Sequence, residues 1–192
     1  MPTLTQRILE PASGTSSRLT GLFLWQLDDQ SRRLTEDTRG ATTAELAWQP
    51  APGMNTIGML LAHIAMVEVA WVEAGIRQRP WACDDVLQMS YRECGIPMAA
   101  GAAPPPGLQG RELPFFDDLL ARARAHTREI VRPLTDGNLE RRFRRTRDDG
   151  SQFEGNLGWT LYHILEHEAG HYGQINLMRH QYQARTGAAT TA

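Results

Sequence analysis

Histidines recur every four residues in LYHILEHEAGHYGQI, at 163, 167 and 171, and residues 167–171 read His-Glu-Ala-Gly-His, the H-E-x-x-H pattern of helical zinc sites in peptidases. Imidazole is a neutral nitrogen donor for divalent transition metals, and a four-residue step on a helix returns to nearly the same face. His163 stands roughly 12 Å from His171 along such an axis, at 1.5 Å per residue, so all three cannot share one ion. The pair is His163 with His167 or His167 with His171. His171 lies closer in angle to the apolar line of Ile164, Ile175 and Met178, which favours the second pair.

Two imidazoles leave a site incomplete, because a catalytic metal generally takes three protein ligands and keeps positions for water or substrate. A thermolysin-type peptidase needs a downstream acid, yet no Asp or Glu follows Glu168. The metzincin pattern needs a glycine and then a third histidine, where this chain has Gln174 and Leu177. His180 falls away from the paired face and reads as exposed. The peptidase match therefore fails at its third ligand. A better donor lies upstream: His63 sits inside an apolar row, and packed helices stand about 8–10 Å apart, so one imidazole from a second helix can meet two from the last. A lone core histidine is more often a hydrogen-bonded structural residue, but an unsatisfied pair nearby makes His63 a ligand candidate.

Glu168 falls on the inner side of the last helix, beside Leu165 and Tyr172. A buried glutamate needs a partner, so it is expected to orient His63 or to pair with an arginine. Its catalytic alternative is a general base on water, as in zinc hydrolases. Glu68, near the apolar face of its own helix, is a weaker candidate for the same supporting role. Trp71, Trp159, Tyr162 and Tyr172 at helical spacing read as core packing, and His126 as a solvated side chain.

The elements that must carry these residues are helical. Leu19, Leu22, Phe23, Trp25, Leu27 and Leu34 define a first helix over about 17–36, and Thr43 to Trp48 reads as a short turn before the QPAPG breaker. Asn55 is the expected cap of a second helix reaching about Ile76, with the stripe Ile57, Leu60, Leu61, Ile64, Val67 and Trp71. The stretch from Arg77 to Pro114 is a long connection with some helix expected over 86–94. A third helix should start at Pro114 and end near Arg132 before Pro133. RRFRRTRDDGSQFEGN holds five arginines in seven residues and then a turn signal, suggesting a small hairpin or irregular loop. Its arginines read as a solvated basic face, the alternative being an anion site. The last helix should run from about Asn156 to Tyr182. The fold class is thus all-α, a four-helix bundle.

The chain has 192 residues, enough for one domain with its own core, and residues 1–14 and 185–192 are expected to be flexible ends. A net charge of −2 favours neither nucleic acid nor an acidic membrane as partner. All 20 basic residues are arginine, so neither Schiff-base nor phosphate-loop lysine chemistry is open to it. Cys83 and Cys94 read as reduced thiols, and neither has a Cys or His at ligand spacing. No apolar leader and no unbroken apolar run of about 18 residues is present, so a cytoplasmic location is expected.

WQPAPGMNTIGM followed by LLAHIAMVEVAWVEAG, together with LYHILEHEAGHYGQINLMRH, resembles the DinB/YfiT-like superfamily. The resemblance covers the order of all four helices, and the DDG turn is part of it. It implies a four-helix bundle with a divalent metal on His63, His167 and His171, followed by the trailing Gly173 and Gln174. Tyr172 stands where many relatives carry arginine. Three neutral histidines suit zinc, nickel, iron or manganese alike. Characterised members include bacillithiol S-transferases and a mycothiol-dependent isomerase, so the resemblance implies a small-molecule substrate, a low-molecular-weight thiol and a homodimer. Two other readings stay open: a metal-dependent hydrolase with Glu168 as base, and a non-catalytic, stress-related metal-binding protein.

Overall fold

The computed structural model describes residues 6, 8–93, 103–146 and 149–187. It is mostly helical. Helix α1 spans Arg18–Thr38, α2 Thr43–Ala47, α3 Ile57–Trp71, α4 Asp84–Leu87, α5 Leu113–Val131, α6 Asp136–Leu139 and α7 Leu157–Thr186. Strands β1 (Arg142–Thr146) and β2 (Gln152–Asn156) form an antiparallel hairpin in which Arg142 faces Asn156 and Thr146 faces Gln152. The long helices α1, α3, α5 and α7 pack on one another, with α3 lying against both α5 and α7.

Helix starts follow their side chains. Ser17 accepts a hydrogen bond from the Thr20 amide, and Asn156 accepts one from Trp159, where the sequence places the two starts. For α3 the cap is Thr56, which accepts from Met59, and not Asn55. Asn55 stands one residue too early for its oxygen to reach the amide of the first turn. Pro114 lies in the first turn of α5, and the helix ends two residues before Pro133.

The expected stripe on α3 is an all-round apolar surface. Of its fifteen residues only His63 and Trp71 keep appreciable exposure. A helix apolar on every side belongs at the centre of a structure. Residues Ile57–Ile76 are long and apolar enough to cross a membrane, with mean hydropathy 1.6, although His63 and Glu68 interrupt any unbroken run; 83% of that stretch is buried inside the protein.

Close packing around α3 depends on two glycines. A Cβ on Gly58 would stand 2.7 Å from Cζ of the buried Phe116 and 3.3 Å from the Leu46 carbonyl. Gly58→Ala is expected to cost about 1–3 kcal/mol by overpacking, read as a lowered midpoint in urea denaturation. The last turn, Val72–Ile76, widens to a π-helix, with the Arg77 amide bonded to the Val72 carbonyl at 3.0 Å. Gly75 in this turn lets Thr160 of α7 approach, since a Cβ there would lie 2.5 Å from its hydroxyl.

Two apolar clusters result, one around α3, α5 and the C-terminal half of α7, the other including Leu24, Leu27, Val131, Phe143 and Leu161. In the connection after α3, helix α4 forms earlier than expected, and a 3-10 turn spans Pro106–Leu108. Asp84 and Asp85 stand in the first turn of α4, the end where a helix favours negative charge. Cys83 is buried, its thiol donating to the Met89 carbonyl at 3.4 Å, and Cys94 lies outside the described residues. The expected flexible ends fall partly outside them too; within them, the Ala12 amide bonds the Gly21 carbonyl.

Candidate metal centre

Helices α3 and α7 bring three imidazoles together. The His63 Nε2 lies 3.0 Å from the His167 Nε2, which lies 3.1 Å from the His171 Nε2. One ligand atom from each of the three falls within 4.8 Å of the others. His163 does not join them. Its Nδ1 lies 3.0 Å from Glu166, and its ring stacks on Trp159 at 4.8 Å between centroids. Of the two pairs open to the sequence, the geometry selects His167 with His171.

Burial holds two of these rings neutral. It pushes His63 down to about 4 and His167 down to about 3, with the neighbouring His171 adding in the same direction. The His171 Nδ1 donates to Gln174 Oε1 at 2.7 Å, since an amide oxygen can only accept, so Nε2 is the nitrogen this ring has to offer a metal. The His167 Nε2 faces a nitrogen on either side and can be satisfied by one hydrogen at most. A divalent cation resolves this crowding of lone pairs, and three neutral imidazoles are a fitting donor set for it. Gln174, known from the sequence only through the family pattern, thus fixes the tautomer of His171. Gln174→Ala is expected to weaken metal binding about tenfold, measurable by competition with a chromophoric chelator.

The supporting carboxylates take the second of the two roles open to Glu168. Neither Glu168 nor Glu68 orients His63, whose buried Nδ1 has no hydrogen-bond partner among the described residues. Both turn instead to Arg124 of α5. Its Nε donates to Glu68 Oε1 at 2.8 Å, and its Nη2 donates to Glu68 Oε2 at 3.1 Å and to Glu168 Oε2 at 2.8 Å. Ser31 of α1 donates to the other oxygen of Glu168 at 2.9 Å. Of the two roles expected for Glu168 as a supporting residue, pairing with an arginine is the one found. Burial pushes the Glu168 carboxyl up while Arg124 opposes it; burial works against the Arg124 charge, but Glu68 and Glu168 outweigh it and raise its pKa.

Arg124 and Ser31 are the residues that sequence reasoning missed. The available signal was an arginine at the next step of the apolar row Phe116–Leu120, with two inward glutamates needing a cation. His126 is also not free in solvent: its Nε2 lies 2.7 Å from Glu73, and its side chain is 13% exposed. Trp71 and Trp159 are half-buried in an aromatic cluster with Trp81, Phe153 and His163. Tyr162 is exposed, and Tyr172 donates to Asp37. Within the arginine cluster, Arg142 and Arg144 are solvated and pair with Glu154, while Arg141 bonds the Ile76 carbonyl and Arg145 lies over Trp81.

A family model described as the DinB superfamily matches residues 26–175. The chain belongs to the DinB superfamily. A conserved protein from Enterococcus faecalis with a known crystal structure is similar in fold, with a TM-score of 0.62 at 18% identity, covering 83% of this chain and 94% of that one. No curated protein matches the sequence.

Proposed function

We propose that this protein is a divalent-metal-dependent enzyme, built as a four-helix bundle from α1, α3, α5 and α7, that uses a low-molecular-weight thiol as nucleophile in S-transfer or isomerisation. The observation that carries the metal reading is the convergence of the His63, His167 and His171 Nε2 atoms, with burial holding His63 and His167 neutral. When bound, a divalent ion there lowers the pKa of a thiol or water that joins it. His63, His167 and His171 would hold the ion, and the Gln174 contact to the His171 Nδ1 would leave Nε2 as that ring's donor. In the transfer, the thiol sulfur forms a bond to an electrophilic carbon, its proton passes to solvent, and the leaving group departs with the bonding electrons. In an isomerisation the sulfur instead adds to a carbon–carbon double bond whose electron pair moves onto the substrate; after rotation about the single bond that pair re-forms the double bond and expels the sulfur, which takes back a proton from solvent.

A thiol nucleophile is preferred over hydrolysis because both Glu168 oxygens are engaged, one by Ser31 and one by Arg124, which leaves that carboxylate poorly placed as a base on water. The test is calorimetric titration of bacillithiol and of mycothiol into metal-loaded and chelator-stripped protein. Binding of either thiol to the loaded form alone supports the reading. Ester or amide turnover without any thiol would favour the hydrolase with Glu168 as base, and metal uptake without thiol binding or turnover would favour a non-catalytic metal-binding protein.

A further inference from the structure

We infer that Arg124 is a positioning residue for the metal centre, a clamp that fixes the helix carrying His63 against the helix carrying His167 and His171. The inference rests on the metal reading above. Arg124 belongs to α5, which contributes no imidazole. Its guanidinium grips Glu68 on α3 through two nitrogens and Glu168 on α7 through one. Glu68 lies about 1.4 turns beyond His63, and Glu168 lies between His167 and His171 in the chain. The three side chains are 5%, 3% and 1% exposed, so the contacts are made away from water. The planar fork of arginine fixes direction as well as distance, which a lysine ammonium cannot do.

A metal site needs that precision, because ligand distances tolerate only a few tenths of an ångström, whereas one residue of slip along a helix moves a side chain 1.5 Å. Among the described residues the His63 Nδ1 has no hydrogen-bond partner, and the ring's one polar contact is to His167 across the site. Its position relative to α7 is therefore set by how α3 and α7 are locked together. Stability alone does not account for such a cluster: buried ion pairs replaced by well-packed apolar residues often leave stability unchanged or improved. Ser31 extends the clamp to α1 through Glu168.

The test is a Co²⁺ titration, reading affinity and the visible absorption spectrum, on wild type, Arg124→Lys, Ser31→Ala, the charge-free triple variant Glu68→Leu/Arg124→Met/Glu168→Leu, and Leu27→Ala. Leu27 is fully buried in the second apolar cluster and serves as a control for plain destabilisation. Arg124→Lys and the triple variant should each weaken Co²⁺ binding tenfold or more and shift the spectrum. Ser31→Ala should do so to a smaller extent, while Leu27→Ala lowers the melting temperature and leaves affinity and spectrum alone. Wild-type affinity and spectrum in Arg124→Lys and the triple variant overturn the inference. If those variants do not fold, unchanged values in Ser31→Ala overturn it. Absence of Co²⁺ binding by wild type defeats the metal reading itself, and the clamp with it.

Discussion

Arg124→Ala is expected to lower the unfolding free energy by about 3–5 kcal/mol, among the largest effects of any single substitution in this chain. The change removes the cation between Glu68 and Glu168 and leaves two carboxylates in a place with almost no water. The cost comes chiefly from those stranded charges and less from the lost attraction. The Arg124 Nη1, which makes no hydrogen bond among the described residues and lies 3.6 Å from Asp28, contributes little. Neutralising what is stranded should then recover stability: Glu68→Gln/Arg124→Ala/Glu168→Gln is expected to be more stable than Arg124→Ala. Urea denaturation at neutral pH checks both, and a triple variant no more stable than the single one would show that packing, not charge, dominates.

Removing the metal is expected to have the second large effect. An ion that binds only the folded chain stabilises it by about 2.7 kcal/mol when free at a hundred times its dissociation constant. Chelation should therefore lower the melting temperature of wild type by several degrees. His63→Ala should already melt at the lower temperature and show no further response to chelator. The two imidazoles left on α7 have one helix to hold them, and the donor from α3 is what ties the ion to tertiary structure. A chelator response in His63→Ala equal to that of wild type would place the ion elsewhere.

The long helices and the histidine triad were legible in the sequence for related reasons. Periodicity of apolar residues marks a helix, and the same 3.6-residue period sets His163, His167 and His171 in one row; the closer angle of His171 to the apolar line favours His167 with His171 of the two pairs left open. His63 was legible because it interrupts an otherwise apolar helix. The ion cluster was harder to see. Arg124 is separated by 56 residues from Glu68 and by 44 from Glu168, and nothing local in α5 says which helices it will meet. Both glutamates could be expected to need partners, but choosing an arginine over His63 required knowing how α3, α5 and α7 pack. The cap of α3 was misplaced by one residue because Asn55 and Thr56 are adjacent and both suit the position. The π-helical turn at Val72–Ile76 left no periodic trace; Thr160 packs against it at Gly75, a contact between distant parts of the chain.

The most direct test of the central claim is elemental analysis of protein purified without added chelator, comparing wild type with His63→Ala and His171→Ala. The account predicts about one divalent ion per wild-type chain and its loss from both variants, which remain folded by circular dichroism. Retention of the ion by His63→Ala at wild-type stoichiometry and affinity would contradict a centre shared between α3 and α7.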